Sequence, residues 1–186
     1  MSSTANPFGL RPVSHPSGVV RPTVGTMASA YASNILQNQP VAIAADGTIT
    51  AAAVGARFVG VFQGVEYTDT EGRRRVTNRW TANTVATDIV AYFTRDPAIV
   101  YEVQASGSIT QADVGSQADF TAITAGSLVT GLSAIALDQA TLTNSGNASL
   151  RILGFAAGPD NAAGDSFTIV RAQISEHQDA PDRAAY

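Results

Sequence analysis

Apolar residues recur at every second position over short runs, and Gly or Pro interrupts each run before a helical stripe can build. The clearest run is 99–105. Ile99, Tyr101, Val103 and Ala105 share one face, and Glu102 and Gln104 are predicted to point to water. Residues 57–67 read as a longer strand. Val59, Val61, Val65 and Tyr67 lie on one side and Phe58 and Phe62 on the other, while Gly60 and Gly64 leave room for a close backbone or a bend. Residues 41–45 and 48–52 form a predicted hairpin about Asp46-Gly47, a pair suited to a tight turn. Further strands are predicted at 76–80, 88–94, 134–137, 149–155 and 167–175, with Gly72 at the tip of the 68–74 loop. In the last strand the apolar parity switches between Ile169 and Val170, which predicts a bulge or burial on both faces. Helix is confined to a weak stretch at 27–38 and one turn at 110–114 stopped by Gly115.

This spacing of short strands predicts a mainly β fold, a compact β-barrel or β-sandwich. Four of the eight prolines, Pro7, Pro12, Pro16 and Pro22, fall in residues 1–26. They exclude helix and central strand, so this stretch is read as an extended N-terminal arm anchored by apolar residues that include Phe8, Leu10 and Val13. Its deletion is expected to leave the body folded. Residues 27–177 are read as a single β-rich domain and 178–186 as a flexible polar tail. No apolar stretch approaches the length of a membrane span, and the first residues lack the pattern of an export signal.

Composition narrows the chemistry. The chain has 186 residues and a net charge of −4, and all 11 basic residues are Arg. Without Lys there is no P-loop lysine and no Schiff base. Without Cys there is no disulfide, thiolate nucleophile or Cys-ligated metal. Charged residues are 14% of the chain against about 25% in ordinary globular domains. So few charges suit a protein that covers its surface by assembly, although an Ala- and Arg-rich codon bias gives the same composition.

The side chains offer few reactive groupings. His15 and His177 lie far apart in sequence, without metal-ligand spacing, and are read as surface residues. Ser133, in Gly131-Leu132-Ser133-Ala134-Ile135, lacks the closing glycine of a nucleophile elbow. The loop from Asp160 to Asp165 has oxygen ligands for calcium but not the alternation of an EF-hand, and a capped turn explains it more simply. Arg73, Arg74, Arg75, Arg79 and Trp80 form the one charge cluster. It is read first as a solvated hairpin tip, then as a protein interface, and last as a nucleic-acid contact, because Glu66, Asp69 and Glu71 share the hairpin.

Several segments in order carry a resemblance. They are Asn6-Pro7-Phe8-Gly9-Leu10-Arg11-Pro12-Val13, the stretch from Gly60-Val61-Phe62-Gln63-Gly64 to Asp69, and Asp96-Pro97-Ala98-Ile99-Val100-Tyr101-Glu102-Val103-Gln104. Ala112-Asp113-Val114-Gly115, Pro159-Asp160-Asn161 and Ile174-Ser175-Glu176-His177 complete the set. In this order they resemble the head decoration, or capsid cement, proteins of tailed bacteriophages. The resemblance implies a non-enzymatic structural protein without cofactor or metal. Such a protein is made in the host cytoplasm and carried on the outer surface of the virion capsid. Its implied partners are the major capsid protein and copies of itself, commonly as a trimer, with no direct nucleic-acid contact and no membrane. The expected interface residues are Phe8, Leu10, Pro12 and Val13 in the arm, and Arg73, Arg74, Arg75, Arg79 and Trp80 in the hairpin. The alternatives are another virion β-protein of the tail or neck, and a small β-fold glycan hydrolase using a carboxylate pair.

Overall fold

The computed structural model describes residues 3–182. Strands β1 (Arg11–Ser14), β2 (Thr23–Gly25), β3 (Ile35–Leu36), β4 (Pro40–Ile43) and β5 (Ile49–Ala51) precede the long β6 (Gly60–Thr68). They are followed by β7 (Arg74–Thr77), β8 (Arg79–Trp80), β9 (Thr87–Phe93) and β10 (Val100–Gln104). The last are β11 (Gln117–Ala118), β12 (Gly126–Ser127), β13 (Leu132–Ser133), β14 (Leu150–Phe155) and β15 (Ile169–Ile174). Among the described residues the only helical pieces are single 3-10 turns at Gln111–Asp113 and Gln139–Thr141. The chain is mainly β, as the alternation predicts.

The first sheet runs β1-β10-β15-β14-β11 and is antiparallel throughout. Its register explains its core. Tyr101 and Ile152 both lie opposite Ala172, Val103 lies opposite Val170, and Leu150 lies opposite Ile174. Every one of these side chains is fully buried, so one continuous apolar face forms across three strands. β15 keeps a regular register with β10 from Ile169 to Ala172, so it carries no bulge at the predicted parity switch; the register slip lies instead in β14, between Ile152 and Gly154, opposite Ala172 and Arg171. The second sheet runs β2-β9-β6-β4-β5, and β7 pairs with the far half of β6. Both sheets are open, with β1 and β11 as the edges of the first. No closed barrel forms among the described residues, which corrects that half of the fold expectation.

Strand β6 is the axis of the second sheet. Its first half pairs with β4, its second half with β7, and β9 lies along its other side. Gly60 is required by a close backbone: a β-carbon there would sit 1.8 Å from the Thr94 carbonyl oxygen. Two apolar clusters result. Phe62, Val65, Trp80 and Phe93 belong to one; Phe58, Val61, Tyr101 and Phe120 belong to the other, where Phe58 meets Phe120 edge-on at 5.6 Å.

The proline-rich segment does not stand apart as an arm. Its β1 adds to β10 and its β2 adds to β9, so it forms one edge of each sheet. Pro12 sits where an edge strand tolerates it, beside a register slip. Between these strands and the body, Gly9 N donates to Ile135 O and Leu10 N donates to Asn38 O. The boundary drawn at residue 26 therefore falls inside the folded body. The polar end behaves likewise as far as Asp182. His177 is buried, pairing with Phe58, and Gln178, Asp179 and Asp182 each bond to the body. The rest of the predicted tail, 183–186, lies outside the described residues, as do Met1 and Ser2 at the start of the arm.

No helix forms at 27–38. Polar side chains there serve other segments: Ser29 Oγ accepts from Ala86 N, Tyr31 Oη from Ala51 N, and Asn34 Oδ1 from Ala82 N. Gln104 is buried rather than solvated, accepting from Asn6 N at 2.7 Å and donating to Thr4 O at 3.1 Å. The predicted strand at 134–137 is reduced to single bridges from Leu137 to Ala105 and to Phe120.

Candidate interaction surface

The nine expected interface residues separate into core and surface. Leu10 and Trp80 are fully buried within the chain and offer no area to a partner. Trp80 meets Tyr67 edge-on at 5.5 Å and its indole N–H donates to Tyr31 O at 3.4 Å. Phe8 and Pro12 are half-buried, and Val13 is 36% exposed. The Phe8 ring lies 4.8 Å from the Arg11 guanidinium carbon, while Arg11 pairs with Glu102 at 2.7 Å. Phe8, Pro12 and Val13 thus remain available at the β1 edge.

The arginine run is neutralised inside its own hairpin. Arg73 pairs with Glu71 at 3.0 Å, Arg74 with Glu66 at 3.1 Å and Arg75 with Asp69 at 2.8 Å. Asp69 also closes the turn, accepting from Arg73 N at 2.8 Å and from Glu71 N at 3.0 Å. The Arg73 amide, then Arg75, holds the Asp69 carboxyl below its ordinary value. The Tyr92 hydroxyl, donating at 2.8 Å, then Arg74, does the same for Glu66. A run whose charges are matched one for one has little field left for a phosphate backbone. Arg79 is half-buried in β8 opposite Leu36.

One grouping was invisible in the sequence. His15 Nε2 lies 3.1 Å from Asp96 Oδ2, and Ser17 Oγ lies 2.7 Å from His15 Nδ1, at a recess of about 370 Å³ that Arg21 also lines. The composition is that of a serine nucleophile with its base. However, the Ser17 backbone N–H donates to the same Nδ1 at 3.1 Å, which occupies the lone pair a base needs. Gly18 N closes the same turn onto His15 O. The group caps a turn and ties it to the loop before β10.

The Asp160 loop is likewise a structural closure. Asn161 replaces a missing ladder rung, donating to Ala156 O and Ile169 O and accepting from Ile169 N. Asp165 Oδ2 accepts from Ala162 N. Among the described residues no group of three His or carboxylate side chains is gathered for a metal.

The chain matches no family model, no curated protein and no solved structure.

Its surface therefore carries the functional evidence. Val129 is 91% exposed, Val76 75%, Val24 61% and Val85 58%. Alternation did not single these valines out. One signal for the first was present: no residue from Phe120 to Leu137 carries a charge.

Proposed function

We propose that this chain is a structural virion protein that binds the outer surface of a tailed-phage capsid and cements the shell. The major capsid protein and further copies of the chain, as a trimer, are its partners. The supporting observation is aliphatic exposure on paired strands and tight turns, led by Val129 and Val76, on a body with few charges. Apolar side chains held rigidly in water favour a partner that covers them. The ordered resemblance from Asn6 to His177 directs that preference to a capsid. In this reading the two sheets stack as a sandwich. Phe8, Pro12 and Val13 of the N-terminal segment, with the Arg73–Arg75 hairpin and Arg79, face the shell, and the chain acts without catalysis, cofactor or metal.

The test is reconstitution. Purified protein is added to expanded capsids that lack it, and binding is read by co-sedimentation and cryo-electron microscopy. The expected result is density on the outer capsid face and greater resistance of the shell to heat. Absence of binding, or density only on the tail or neck, overturns the reading.

A further inference from the structure

Beyond β15 the chain crosses from the first sheet to the second. Phe58 N donates to Glu176 O at 3.2 Å and Gln178 N donates to Phe58 O at 3.1 Å, so this strap lies beside the lead into β6. The Gln178 side chain bonds the Ile43 backbone in β4. Two ion pairs hold the strap further on, Arg95 with Asp179 at 2.7 Å and Arg57 with Asp182 at 2.6 Å. Both pairs are partly exposed, and exposed pairs contribute little each. Within the strap His177 is only 1% exposed, and Asp179 N donates to its Nδ1 at 3.0 Å. That bond fixes the state of the ring. A nitrogen that accepts an N–H carries no proton of its own, so the docked strap holds the imidazole neutral. A second proton on the ring would break the Asp179 bond and place a charge at a buried site.

We propose that residues 176–182 form an acid-released clasp between the two sheets, with His177 as its trigger. The charged groups around the strap do not hold the extra proton in place. The Asp179 carboxylate is taken by Arg95 and that of Asp182 by Arg57, which also donates to His177 O at 3.5 Å. Asp119 accepts from Ser149 N and Oγ. Glu176 is itself pushed toward its neutral form by burial, then by Asp182 and Asp119. In the released strap the imidazole is in water and titrates near about pH 6.5. The clasp is therefore at full strength above that value and weakens as pH falls through it. Linkage to this one proton raises the released fraction about tenfold between about pH 7.5 and about pH 5.5. Release frees the Phe58 and Ile43 backbones, so an edge of the second sheet that the strap covers becomes available for pairing. The proposal does not rest on binding to a shell.

The experiment is amide hydrogen exchange of the full chain by NMR, without capsids, over the same pH interval. After correction for the intrinsic rate, the Phe58 and Gln178 amides are expected to exchange about tenfold faster at the acid end, while those of β10 keep their protection. The ring nitrogens give a second reading that needs no variant. At neutral pH the His177 Nδ1 is expected to be unprotonated, and its titration is expected to follow the loss of protection. His177→Gln is expected to remove the pH dependence, and His15→Gln, at the other imidazole of the chain, to retain it. Strap protection that does not change with pH in wild type, a protonated Nδ1 at neutral pH, or a pH dependence that survives His177→Gln overturns the proposal. Capsid binding enters none of these readings, so the two proposals fail separately.

Discussion

The side-chain amide of Gln178 pairs with the backbone of Ile43 as a neighbouring strand would: Ile43 N donates to Oε1 at 2.8 Å and Nε2 donates to Ile43 O at 3.1 Å. It does so after β6, which pairs only with Pro40 and Val41 of β4, has left that strand. Gln178→Ala removes both bonds at an exposed site where water replaces them. The expected loss is about 1 kcal/mol in urea denaturation, with faster hydrogen exchange at Ile43.

Removal of residues 1–26 is expected to prevent stable folding, contrary to the sequence expectation of a detachable arm. The deletion takes away an edge strand from each sheet and Leu10 from the core. Leu10→Ala alone is expected to cost about 2–5 kcal/mol. A truncated chain with a wild-type melting temperature would contradict this.

Gly60→Ala places a methyl group against the Thr94 carbonyl, and backbone on both sides resists the shift. The expected cost is about 3 kcal/mol, read as a large drop in thermal midpoint. Gly47→Ala is the informative control. A β-carbon there meets nothing within 4 Å, and only the left-handed φ of +82° is penalised.

Acid should loosen the β6–β7 hairpin before the body. The folded pKa values of Asp69 and Glu66 lie below their ordinary 3.8 and 4.5. Their contribution is therefore complete above the ordinary values and is lost as pH falls through the depressed ones. Asp69→Asn is expected to leave the hairpin amides less protected at neutral pH and to remove part of their acid sensitivity in NMR titration.

Glu176 has the opposite sign. Burial, then the carboxylates of Asp182 and Asp119, raises its pKa above 4.5. Its protonated form is the favoured one in the fold, so stability falls as pH rises from 4.5 through the raised value. Glu176→Gln is expected to raise the melting temperature at neutral pH and to have no such effect near about pH 3.

Strands with clean alternation were legible because burial of one sheet face writes itself at every second residue, as in β10. Gln104 escaped that logic: its partners, Thr4 and Asn6, lie about a hundred residues away. The same holds for 27–38, where side chains at Ser29, Tyr31 and Asn34 complete distant backbones that no local window contains. Leu10 and Trp80 have the composition of interface anchors, but the residues that bury them come from other parts of the chain. The exposed hairpin of β12 and β13 was hidden because Gly, Ser and Thr break up its apolar residues, so neither alternation nor a helical stripe marks it.

The placement of β1 has a kinetic consequence. Its partner β10 must pair on its other side with β15, so the first sheet gathers residues from Arg11 to Ile174. During synthesis β1 emerges about 90 residues before its partner β10 and well before β15, and waits unpaired for them. Long-range closure of this kind is slow, and the waiting strands are prone to pair wrongly. The first sheet is thus completed only once β15 has emerged, and its yield depends on keeping the earlier strands solvated until then.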